Sequence, residues 1–139
     1  MIVIYRAITN TVYATCKEKS LLDNPSYIFK FTEDGGGNER YCVCTDSSSY
    51  PDRHQTFSII ETTTPTDVTN EVNLKTSKSW KYIIYEITPR DLTGVTDLST
   101  IDYSILTEVE KGRVKVLDSS FTTPQVYTGY STTKKTYAG

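Results

Sequence analysis

The eight residues Trp80-Lys81-Tyr82-Ile83-Ile84-Tyr85-Glu86-Ile87 constrain the fold more than any other stretch. They hold the only tryptophan, two tyrosines and three isoleucines. Aromatic and β-branched side chains at this density favour a strand. Alternation puts Trp80, Tyr82, Ile84 and Glu86 on one face and Lys81, Ile83, Tyr85 and Ile87 on the other. Apolar groups on both faces predict a central strand covered at least partly on each side.

Shorter stretches repeat the pattern. Ile2 to Ile8 and Val12 to Cys16 read as strands joined tightly through Thr9-Asn10-Thr11. Lys17 to Pro25 is a polar loop whose Leu21 and Leu22 either tuck under a sheet or stand exposed as contacts. Tyr27 to Thr32 alternates, with Tyr27, Phe29 and Phe31 on one face. Asp34 to Asn38 contains three glycines and predicts a reversal into Arg40–Asp46. Phe57 to Glu61 and Val72 to Leu74 follow. After the Trp80 strand, Pro89 to Tyr103 is a longer connection, with one helical turn expected within Asp97 to Ser104. Ile105–Glu110 and Arg113–Leu117 read as a hairpin over Lys111-Gly112.

About ten short strands with regularly spaced turn signals predict an all-β chain. The expected architecture is an antiparallel β-sandwich, Ig-like or jelly-roll-like, over residues 1–118. Its expected core includes Trp80, Tyr82, Ile84, Phe29, Phe31 and Phe57. Residues 119–139 read as a C-terminal tail that serves as an edge strand or is exchanged between subunits. The tail keeps Phe121, Val126, Tyr127, Tyr130 and Tyr137, too many apolar side chains for a purely solvated segment.

Composition narrows the function classes. Hydrophobic residues make up 37% and the net charge is −2. The low apolar fraction suits sheets with one wet face, or a subunit supported by neighbours. The charge lacks the basic excess usual in a nucleic-acid-binding domain. The three cysteines, Cys16, Cys42 and Cys44, are an odd number, which argues against a closed disulfide framework and for buried thiols in a reducing compartment. No second Cys/His pair stands at metal-ligand spacing. The N-terminus shows no signal peptide, and no apolar run reaches the ~20 residues of a spanning helix.

Catalytic patterns are missing. The glycine run is followed by no Gly-Lys-Ser/Thr and lacks alternating acidic ligands, so neither a phosphate loop nor a calcium loop is expected. His54, the only histidine, lies beside Asp52 with no nucleophile evident, and reads as part of a solvated turn. Glu108 and Glu110 read as a solvent face paired with Lys111 and Arg113 across a hairpin. The expectation is a non-enzyme without cofactor or metal.

Four stretches, in order, resemble a family of small virion structural proteins of tailed phages of Bacteroidota, including crAss-like phages. They are Asn24-Pro25-Ser26-Tyr27-Ile28-Phe29-Lys30-Phe31-Thr32; Tyr50-Pro51-Asp52-Arg53-His54-Gln55-Thr56-Phe57-Ser58-Ile59 with Glu61; Val72-Asn73-Leu74 with Trp80-Lys81-Tyr82-Ile83-Ile84-Tyr85-Glu86; and Glu108-Val109-Glu110-Lys111-Gly112-Arg113-Val114-Lys115-Val116. His54 stands where that family often has an aromatic residue, and Ser79 where a glycine usually precedes the aromatic strand. The resemblance implies a β-sandwich in the virion, on the capsid as a head-fibre or decoration subunit, assembled in the host cytoplasm. Its implied partners are other virion proteins and further copies of itself, with no nucleic acid, membrane or cofactor.

The interaction candidates are Tyr127, Tyr130 and Tyr137 of the tail, with Leu21 and Leu22. The alternatives are a neck or tail accessory protein, an Ig-like interaction domain, and a carbohydrate-binding module using an exposed platform drawn from Tyr50, Trp80, Tyr127 and Tyr130.

Overall fold

The Trp80 stretch forms strand β7, Ser79–Ile87, the middle strand of a five-stranded sheet. The structure, a computed structural model, describes residues 1–16, 19–22, 24–35, 37–48, 54–74 and 79–117. On either side of β7, and antiparallel to it, run β3 (Ser26–Glu33) and β8 (Thr107–Leu117). Strand β4 (Glu39–Cys44) pairs outside β3, and β1 (Ile2–Tyr5) pairs outside β8. A second sheet has the order β2 (Thr9–Ala14), β5 (Gln55–Glu61), β6 (Glu71–Val72). The fold is an all-β sandwich.

The core lies between the sheets. Trp80, Phe29, Phe31, Phe57 and Ile84 are fully buried, and Tyr82 nearly so. Phe57 of the smaller sheet meets Phe29 and Tyr27 edge to face, each at 5.1 Å between ring centres. Such contacts add to the gain from area burial alone. The three thiols are free and buried, with Cys42 and Cys44 on the core side of β4.

The other face of the large sheet is covered over part of its area. The connection from Pro89 to Leu106 folds into three short 3-10 turns, Pro89–Leu92, Leu98–Thr100 and Tyr103–Ile105, where sequence led us to expect one helical turn. Thr88, Asp97 and Asp102 cap these turns by accepting backbone N–H groups. The connection sets Leu98 against Ile28 and Ile87, stacks Tyr103 on Tyr41 and sets it at a tilt against Tyr85.

Several expectations are corrected. Eight strands form among the described residues. The pairing is mixed, because β1 runs parallel to β8 and β5 parallel to β6. Thr9-Asn10-Thr11 is strand rather than turn. The chain reverses at Arg6–Ile8, and β1 and β2 enter different sheets. Lys111-Gly112 is no hairpin either: β8 runs unbroken for eleven residues. Gly112 is used there for close approach, since a Cβ built on it would lie 2.9 Å from the Tyr82 ring. Residues 49–53 and 118–139, and with them Tyr50, Asp52, Tyr127, Tyr130 and Tyr137, lie outside the described residues.

Candidate interaction surface

The two ends of the sandwich's cross-section differ. At one, the two sheets are tied together: the Val43 N–H of β4 donates to the Thr69 carbonyl just ahead of β6 at 2.8 Å, and the Ser47 N–H, just past β4, donates to the Thr56 carbonyl of β5 at 2.9 Å. At the other, β1 and β2 are each the outermost strand of their sheet among the described residues. No ladder joins them.

Backbone parity fixes which groups face that opening. The Arg6 N–H donates to the Leu117 carbonyl at 2.9 Å, so even-numbered residues of β1 turn towards β8. Val3 and Tyr5 therefore turn outward. In β2 the Glu61 N–H donates to the Ile8 carbonyl at 3.2 Å, so even-numbered residues bond to β5. Thr9, Thr11 and Tyr13 turn outward. A row of outward donors and acceptors is what another chain pairs with.

Two side chains limit the exposure. Asn10 acts as a one-residue strand. Its Oδ1 accepts the Tyr5 N–H at 2.8 Å, and its Nδ2 donates to the Tyr5 carbonyl at 2.9 Å. Glu110 of β8 reaches past the end of β2. Its Oε1 accepts the Thr15 N–H at 2.9 Å, and its Oε2 accepts the Tyr82 hydroxyl at 2.7 Å. A bulge at Val109 places Glu110 there, since Ile84 pairs with Glu110 and the next residue, Tyr85, with Glu108. The expected charge pairing of Glu110 with Lys111 and Arg113 is thereby replaced.

Between these clamps lies a groove of about 270 Å³, lined by Met1, Ile2, Val3, Thr11, Val12 and Tyr13. Seven large apolar side chains are exposed among the described residues. Four of them, Met1, Val3, Ile8 and Tyr13, sit on this edge and its connecting turn. Tyr13 is 63% exposed and meets the His54 ring edge-on. Scattered exposed apolar groups are ordinary, but a contiguous set beside unpaired strand edges marks a contact surface.

Leu21 and Leu22 form a separate feature. Leu21 is 80% exposed. The loop is held from beneath by the buried Glu86, whose two oxygens accept the Leu21 N–H and the Ser20 hydroxyl, each at 2.6 Å. A buried carboxylate needs such partners. Glu61 does the same elsewhere, accepting the N–H groups of Ala7 and Leu74.

A polar cleft of about 650 Å³ opens at the loop end, lined by residues that include Ser20, Asn24, Asp46, Ser48 and Gln55. Its carboxylate is already engaged, because Asp46 accepts the N–H groups of Ser48 and Thr56. No group of three or more potential metal ligands converges among the described residues. Trp80 has no exposed surface, which removes it from any stacking platform.

Sequence reasoning named Leu21 and Leu22 but missed Met1, Val3, Asn10, Tyr13 and Glu110. One signal was available: Asn10 falls on the same alternating face as Val12 and Ala14, where an apolar residue belongs. No family model, curated protein or solved structure matches this chain.

Proposed function

We propose that this protein is a non-enzymatic structural subunit of a tailed-phage virion, at the capsid surface as a head-fibre base or decoration protein, and that it acts by protein–protein assembly. The observation that carries the reading is the β1/β2 edge: backbone groups unpaired among the described residues and flanked by Met1, Val3 and Tyr13, on a sandwich whose polar loop-end cleft has its one carboxylate already engaged. The four ordered sequence stretches that resemble virion proteins support the location. The sequence of residues 119–139 adds Phe121, Tyr127, Tyr130 and Tyr137, side chains of the kind enriched at protein interfaces.

The test is physical association with particles. Virions purified from infected host cells on a density gradient are probed with an antibody to the full chain. The expected result is co-migration in a fixed stoichiometry to the major capsid protein. A chain that stays wholly in the soluble lysate while particles form normally overturns the proposal.

A further inference from the structure

The outer face of the large sheet is divided. Beyond the patch covered by the Pro89–Leu106 connection, β7 and β8 present Lys81, Lys111, Arg113 and Lys115, all exposed. Register places Lys81 directly across from Arg113, with Lys111 opposite Ile83 and Lys115 opposite Ser79. Like charges directly opposed on adjacent strands are unfavourable. Asp34 answers one of the four, pairing with Arg113 at 3.0 Å. Beneath the cations lies a groove of about 370 Å³ whose lining includes Thr32 and Ile83. A local rule broken on an otherwise regular sheet is where function is sought.

Glu108, opposite Tyr85, and Asp34 border this patch, and a larger acidic group lies elsewhere. Glu39, Asp67, Glu71 and Asp97 surround a hollow of about 260 Å³ beside β4, the edge of the sheet farthest from β1 and β8. Arg40 also lines it, and Lys30 pairs with Glu39 at 3.2 Å. Glu39 belongs to β4, Glu71 to β6 of the smaller sheet, and Asp67 and Asp97 to connections, so acidic and basic groups collect at opposite margins of the sandwich in a chain whose net charge is only −2.

We infer that the basic half-face of β7 and β8 docks on the acidic β4–β6 margin of a second copy of this chain. The inference rests on the assembly reading above and names the partner for one of its surfaces. The two patches are different, so the contact is heterologous, and repeating it gives a ring or a filament rather than a closed pair. Complementary potentials set partner and register more than raw affinity, and the contact weakens as salt shortens the screening length from about 10 Å at 0.1 M to about 3 Å at 1 M.

Sedimentation velocity of the full chain tests it. Wild type associates at low salt and disperses as salt rises. Lys81→Glu with Lys111→Glu and Arg113→Glu has two acidic patches, and Asp67→Lys with Asp97→Lys has two basic ones. Each alone associates on the order of a hundredfold more weakly, while a mixture of the two recovers hetero-association at low salt. That recovery requires both variants to be folded, so it separates lost docking from lost structure. Oligomers that ignore salt and both reversals overturn the docking and leave the assembly reading standing. A wild-type chain that is monomeric at low salt overturns the docking, and absence from particles in the virion experiment overturns the assembly reading separately.

Discussion

Gly112 illustrates how little one residue reveals by itself. Beside Lys111 it carries the chemistry of a tight turn. In the fold it is the floor under Tyr82, which is buried and tied through its hydroxyl to Glu110 at 2.7 Å. An added methyl would sit 2.9 Å from Cε1 and 3.1 Å from Cζ of that ring. The ring cannot swing away without surrendering its hydrogen bond and its packing. Gly112→Ala therefore destabilises by about 1–3 kcal/mol, although alanine suits a strand better than glycine. Urea unfolding of the variant measures this. A variant as stable as wild type would mean that the ring shifts freely and that Gly112 has no packing role.

At the scale of elements, the β1/β2 pair carries the most consequence. Both strands alternate as expected, with Ile2 and Ile4, then Asn10, Val12 and Ala14, turned inward. Their separation into two sheets follows from the Arg6–Ile8 reversal, where Ala7 sits at φ 61° and gives its N–H to the buried Glu61. Asn10 then bridges the gap. Asn10→Ala leaves the Tyr5 N–H and carbonyl without their partner and should cost about 1–3 kcal/mol. Denaturant midpoints of the variant check the loss. A change below about 0.5 kcal/mol would show that water replaces the amide fully. With Tyr5 opened, the pairing edge also lengthens by one position, and the variant should associate at lower protein concentration than wild type.

For the whole molecule, the burial of thiols and phenols gives a pH signature. Burial pushes the Cys16 thiol from its ordinary 9.0 up to about 12, with the Glu110 charge adding to it. Burial likewise raises Tyr27 and Tyr41 from 10.0 to about 12, and raises Tyr82 and Tyr103. Each group is neutral in the folded state and ionises more readily when unfolded. A raised folded value contributes stability that is fully present below the unfolded value and lost as pH climbs to the folded one. Stability should hold up to about pH 9, then fall steadily towards about pH 12. Guanidinium midpoints across that range test it. A midpoint unchanged to about pH 12 would mean that these hydroxyls and thiols reach solvent in the native state.

Alternation along each strand is local, so the side chain's face was legible from sequence alone. Trp80, Tyr82 and Ile84 turn inward with Phe29, Phe31 and Phe57, and on the opposite face of β7 the Pro89–Leu106 connection covers Tyr85 and Ile87 while Ile83 lines the groove beneath the exposed cations. Partner choice is not local. Several strands carry compatible patterns, and the parallel pairing of β1 with β8 joins residues more than a hundred positions apart. The same holds for the buried carboxylates: Glu61 and Glu86 read as ordinary strand residues until the Arg6–Ile8 turn and the Ser20–Leu21 loop bring N–H and hydroxyl groups to them. Nor does any spacing announce that the exposed Met1, Val3 and Tyr13 meet at an open edge, because the opening exists only once two sheets have packed and left it unpaired. Sequence by itself determined the strands and their inner faces, through a two-residue period that needs no partner. The tertiary structure decided the pairing, the clamps and the contact surface, because each depends on residues that only the packing of the two sheets brings together.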